Sequence, residues 1–124
     1  MRFQSGGELE AIAERLAESD FEKADCRWDP TGAVFLLETS RPSTKDLKGA
    51  GLFRKPGLEW VKCRLTIRRV RALSIWEEYD VKPPLGRLLQ LEKTSPSFRI
   101  RLFSAHGLRV DLTVDRLEGD LEDF

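Results

Sequence analysis

Apolar and polar residues alternate at every second position through most of this chain, and no other feature limits its fold so strongly. In "VKCRLTIRRVRAL", residues 61 to 73, Val61, Cys63, Leu65 and Ile67 are set against Lys62, Arg64 and Arg68. Successive strand side chains point to opposite faces, so the pattern specifies one apolar and one basic face. The same period recurs in Ala24, Cys26 and Trp28, in Phe98, Ile100 and Leu102, and in Leu108, Val110, Leu112 and Val114, and Val34 to Thr39 returns as the second strand. Leu88, Leu89 and Leu91 mark one more short strand. Turn residues punctuate these runs: Asp29-Pro30-Thr31-Gly32 suits a type I turn, and Ser104 to Gly107 reverses the chain.

One segment keeps a different period. Ser5-Gly6-Gly7-Glu8 has capping-box spacing, and Leu9, Ile12, Ala13 and Leu16 follow at helical intervals, which predicts an amphipathic helix over about 8 to 19. A helix followed by strands in hairpins makes the fold class α+β, with a mainly antiparallel sheet over about 21 to 122. A chain of 124 residues suits a single domain able to bury its own core. Two stretches, 40 to 57 and 77 to 86, read as loops.

The alternation breaks at Arg68-Arg69, where the absence of Gly, Pro and Asn favours a bulge or bend over a tight hairpin. The break has an echo 47 positions on. "VKCRLTIRRVRA" (61 to 72) aligns with "LRVDLTVDRLEG" (108 to 119) at every apolar position and at the break itself. Charges change sign between the two: Arg64 becomes Asp111, Arg68 becomes Asp115 and Arg71 becomes Glu118. If the two strands share a sheet face, Asp111 and Asp115 are expected partners for Arg64 and Arg68. Each such pair contributes from a few tenths to about 1 kcal/mol.

Charge and residue inventory narrow the function classes. Twenty-one basic and twenty-one acidic residues cancel, leaving no global field to draw the chain onto nucleic acid or an anionic membrane. Cys26 and Cys63 occupy apolar-phase positions and read as buried, reduced thiols. No apolar leader or spanning segment is present, so the expected location is cytoplasmic. The one histidine, His106, lies in a hairpin turn, and Glu77, Glu78 and Asp80 have no histidine near them. Neither a catalytic triad nor a metal site is therefore expected, and no cofactor is implied. An enzyme reading would rest on a pocket formed by the 40 to 57 and 77 to 87 loops, with Glu77, Glu78, Tyr79 and Asp80 as acid or base groups.

Three stretches, "FEKADCRWDPTGAVFLLE" (21 to 38), "CRLTIRRVRALSI" (63 to 75) and "FRIRLFSAHGLRVDLTV" (98 to 114), give the chain its family likeness. It resembles a loose group of small bacterial proteins of unknown function, some near the immunity proteins that neutralise polymorphic toxins. The resemblance implies an α+β domain that binds a protein partner without turning over a substrate.

The leading expectation is a non-enzymatic protein-binding domain, with self-association into a homodimer through a sheet face or edge as one form. Trp60, which shares the phase of Lys62 and Arg64, and Trp76 are the aromatics that motivate it. In the 40 to 57 loop, Leu52 and Phe53 lie between Lys45, Lys48, Arg54 and Lys55, so Leu52, Phe53, Arg54 and Lys55 join Trp60 as partner-binding candidates. The alternative is nucleic-acid binding through Lys62, Arg64, Arg68 and Arg71 with Arg99 and Arg101.

Overall fold

The computed structural model describes residues 1–16, 19–42, 60–77, 89–104 and 107–123. The chain order is β1 (Arg2–Phe3), α1 (Gly6–Arg15), a 3₁₀ turn at Lys23–Asp25, β2 (Cys26–Asp29), β3 (Val34–Pro42), β4 (Trp60–Ile67), β5 (Val70–Glu77), β6 (Leu89–Thr94), β7 (Ser97–Phe103), β8 (Leu108–Val114) and β9 (Gly119–Asp123). One short helix and mostly strands make this an α+β arrangement. The strands form two antiparallel sheets where one was expected. The first runs β1-β9-β4-β3-β2 and the second β5-β8-β7-β6.

Two meanders, β2-β3-β4 and β6-β7-β8, supply most of the strands, and turn chemistry explains one hairpin in each. In the β2–β3 turn the Asp29 carboxylate accepts from the Thr31 and Gly32 amides at 3.1 and 3.2 Å, replacing ladder bonds that the turn gives up. At the β7–β8 turn the Ser104 amide donates to the Leu108 carbonyl, and the Leu108 amide donates back to Ser104 Oγ.

The break at Arg68-Arg69 is a corner between sheets. Arg69 has φ of 60°, turning the chain out of the first sheet, and β5 pairs with β8 in the second. A register shift between Val70 and Ala72 adds the expected bulge. The corresponding corner at residues 115–118 sends the chain the other way, from β8 into β9 beside β4. Each meander thus lends a fourth strand to the other sheet, which is the structural content of the sequence echo.

Inward side chains of both sheets form one buried cluster that includes Phe35, Leu37, Leu65, Ile67, Ile100, Leu102, Val110, Leu112 and Val114. Helix α1 packs against β1 and β6, the edge strands on one side of this core. It begins two residues earlier than expected because Ser5 is the N-cap: Ser5 Oγ accepts from the Glu8 amide while Glu8 Oε1 accepts from the Gln4 amide at 3.0 Å. The helix ends at Arg15, with Leu16 as its C-cap, short of the expected residue 19. Leu9, Ile12 and Leu16 are fully buried, each contributing about 1.5–3 kcal/mol of transfer free energy. Among the described residues no helix is long and apolar enough to cross a membrane.

Candidate functional site

The outward face of the second sheet is built unlike an ordinary solvated face. Ladder register aligns Trp76, Arg109 and Phe103 in one row and Ser74, Asp111, Arg101 and Gln90 in the next. All point away from the core, because Ile75, Val110 and Leu102 alternate with them. Asp111 is nevertheless only 9% exposed, on the central strand β8. Burying a carboxylate costs several kcal/mol unless it is paired and hydrogen-bonded.

Two guanidinium groups supply that pairing. Arg109 donates through Nε and Nη2 to Asp111 Oδ1 and Oδ2 at 3.0 and 2.9 Å, a fork-on-fork pair along one strand. Arg101 Nε lies 3.8 Å from Asp111 Oδ2, and its Nη2 is 3.1 Å from Glu92 Oε2. The Arg109 guanidinium carbon in turn sits 4.2 Å from the centroid of the Trp76 ring. A chain of contacts, Glu92–Arg101–Asp111–Arg109–Trp76, therefore runs across β6, β7, β8 and β5. It ends on an indole that is 42% exposed.

A second polar cluster lies on the inner face of the first sheet. Thr39, Cys63 and Asp123 are aligned across β3, β4 and β9, and Arg41, 6% exposed, reaches over β4 to Asp123. The Arg41 hydrogen bond holds the Asp123 carboxyl below its ordinary range, while burial, helped by Asp123, pushes the Cys63 thiol up to about 11. A protonated thiol beside a locked ion pair is a poor nucleophile, so this cluster closes the polar end of the core. Cys63 is fully buried, whereas Cys26, expected to be buried, is only half-buried because β2 is an edge strand.

The expected basic site is divided. Lys62 and Arg64 lie on the outward face of the first sheet, Arg68 lies at the corner, and Arg71, Arg99 and Arg101 belong to the second sheet. Four of the six are ion-paired: Arg64 with Glu38 at 3.2 Å, Arg68 with Asp120 at 2.8 Å, Arg71 with Asp115 at 2.5 Å, and Arg101 as described. The partners expected for Arg64 and Arg68 were Asp111 and Asp115. They differ because β4 and β8 lie in different sheets, and the acids that meet the basic stripe come from β3 and β9. Lys62 and Arg99 have no ion-pair partner among the described residues.

Trp60 is 51% exposed on the outward face of the first sheet, so it and Trp76 do not form one surface. Leu52, Phe53, Arg54 and Lys55 lie outside the described residues, as do Glu78, Tyr79, Asp80 and His106. Glu77 is exposed and pairs with Lys23 at 3.6 Å. Among the described residues no three metal-ligating side chains cluster. A hollow of about 680 Å³ lies elsewhere, bounded by Ser5, Gly6, Leu91, Phe98, Lys93 and Arg116 among others.

Arg109 and Glu92 were not among the sequence candidates. The signal for Arg109 was present in the alternation Leu108-Arg109-Val110-Asp111, but the strand that would face Asp111, and with it Glu92, was not legible. Comparison of the chain with protein families, curated proteins and solved structures gave no match.

Proposed function

We propose that this chain is a small, non-catalytic protein-binding domain whose contact face is the outward side of the second sheet, centred on Trp76. The observation that carries the reading is the Trp76–Arg109–Asp111 arrangement. A solvated strand face has no need of a buried carboxylate, yet Asp111 is sunk between two arginines and thereby fixes the guanidinium under the indole. A rigid, half-exposed tryptophan loses little conformational freedom on binding, and Trp and Arg are the residues in which interfaces concentrate energy. Stacking over the cation adds about 0.5–1 kcal/mol to that rigidity.

The resemblance to proteins near toxin immunity proteins names a partner class, a toxin domain encoded beside this chain. Co-purification with the product of the neighbouring gene, comparing wild type, Trp76→Ala and Trp60→Ala, tests the face. The expected result is a complex kept by Trp60→Ala and lost with Trp76→Ala at unchanged circular dichroism. A complex indifferent to Trp76, or the absence of any complex, overturns the reading.

A further inference from the structure

The second sheet ends in an edge strand that is complementary to itself. Among the described residues the two sheets have four edges: β1 is two residues long, β2 is four and carries Arg27 and Asp29, β6 carries Glu92 and Lys93 with α1 packed against it, and the fourth is β5. Strand β5 has eight residues, and its stretch Ala72-Leu73-Ser74-Ile75-Trp76 contains no charge and no proline. Natural edges are normally blunted by charge, proline, a bulge or a covering element, and β5 has its bulge and its charges only at its ends, outside this stretch. Leu73 and Ile75 face the core but are only partly buried, whereas Leu112 and Val110, opposite them on β8, are fully buried. Among the described residues, the core is thus less covered along this edge than on β8.

We infer that β5 pairs antiparallel with β5 of a second copy of this chain across a two-fold axis at Ser74, joining two second sheets into one. That register sets Leu73 against Ile75 of the partner subunit on the inner face and Ala72 against the partner's Trp76 on the outer face, small against large. Arg71, at the bulge, meets the partner's Glu77, and Glu77 meets the partner's Arg71, so the axis repeats each favourable pair twice. Within one chain Arg71 pairs with Asp115 and Glu77 with Lys23, but all four side chains are at least half exposed. Pairs of that kind hold their partners weakly and can be shared with a second copy. The inference rests on the protein-binding reading in treating Trp76 as a contact residue, and makes the joined sheet part of that contact face.

Charge exchange tests it. Sedimentation equilibrium of the wild-type chain should show a monomer–dimer equilibrium. Arg71→Glu places acids against acids and Glu77→Arg places cations against cations. Each should raise the dimer dissociation constant about tenfold, since the two-fold axis turns two exposed attractive pairs into two repulsive ones. Mixing the two variants should restore association as a heterodimer, and the double variant Arg71→Glu/Glu77→Arg should again form homodimers. Circular dichroism of each variant checks that the fold is kept.

A wild-type chain monomeric at millimolar concentration overturns the inference, as does a dimer insensitive to these charges or single variants that fail to complement. Pairing of β5 with a segment of another protein would appear as a monomer whose partner binding is lost with the charge variants. Retained partner binding by monomeric variants would sink the dimer alone, and loss of Trp76-dependent binding with an intact dimer would sink only the contact-face reading.

Discussion

Arg41 and Asp123 are 82 positions apart and meet in a two-pronged ion pair on the core side of β4, at 3.0 and 2.5 Å. The guanidinium is nearly fully buried while the carboxylate is 45% exposed, so removing the acid takes a two-pronged partner from a buried cation. Asp123→Asn should cost about 1.5–3 kcal/mol at neutral pH, the range for a hydrogen bond to a charged group. The folded-state pKa of Asp123 is depressed, so this contribution is complete above the ordinary carboxylate value of 3.8 and fades as pH falls through the lower folded value. Urea unfolding from pH 7 to pH 2.5 should show the gap between wild type and variant closing only in acid.

Gly119 stands where β9 passes under Phe3. A methyl group there would lie within 3 Å of the Thr66 carbonyl and of two Phe3 ring carbons. The carbonyl belongs to the backbone of β4 and cannot turn aside. Gly119→Ala should therefore destabilise by about 3 kcal/mol or more, the upper range for overpacking, read as a lowered denaturant midpoint. An unchanged midpoint would mean that β9 does not pack as described.

The two thiols should make stability fall in alkali. Burial pushes Cys26 and Cys63 up to about 11 from an ordinary 9.0, with Asp25 and Asp123 respectively adding to the effect. Between those values the unfolded chain releases protons that the folded chain keeps, so unfolding gains ground as pH rises above 9. The Cys26→Ala/Cys63→Ala double variant should lose this alkaline slope. A thiol reagent at pH 8 should leave Cys63 unmodified until denaturant is added.

Ala33 ends the β2–β3 turn at φ of 56°, and its carbonyl accepts the Val70 amide at 2.9 Å, just past the corner at Arg69. The left-handed region costs an L-residue about 1–2 kcal/mol, which glycine avoids at some loss of unfolded-state restriction. Ala33→Gly should therefore leave the melting temperature unchanged or slightly raised. Ala33→Val should lower stability by at least about 1 kcal/mol, because a branched side chain tolerates that backbone poorly.

Strand positions were legible because alternation reports burial directly. Phe98, Ile100 and Leu102 face inward as the pattern requires, although Phe98 is only partly buried. The helix was legible through Ser5 and Glu8, while its far end was not, since the apolar stripe gives no stop signal after Leu16. The corner at Arg68-Arg69 was visible as a phase break. A phase break, however, does not say whether the chain kinks within a sheet or leaves it, and that choice decided every charge pairing. Arg64 found Glu38 and Arg68 found Asp120 because β3 and β9 flank β4. For the candidate site, Trp76 and Asp111 were both noticed separately. Their connection through Arg109 needs the register of β5 on β8, which no single strand encodes.

The exchange of strands at the two corners also bears on how the chain reaches its native state. Leu65 on β4 pairs with Leu121 on β9, and Ile75 on β5 with Val110 on β8, so neither sheet can be completed from local hairpins alone. Each loop closure must be met before its pairing is rewarded, which places such topologies among slow folders, on the millisecond-to-second scale. A nascent chain that has made only the β2-β3-β4 meander holds β4 with one side unsatisfied and β5 without its β8 neighbour. Until β8 and β9 arrive, the uncharged stretch 72–76 is open on both edges. The period of greatest risk from intermolecular association is therefore during synthesis.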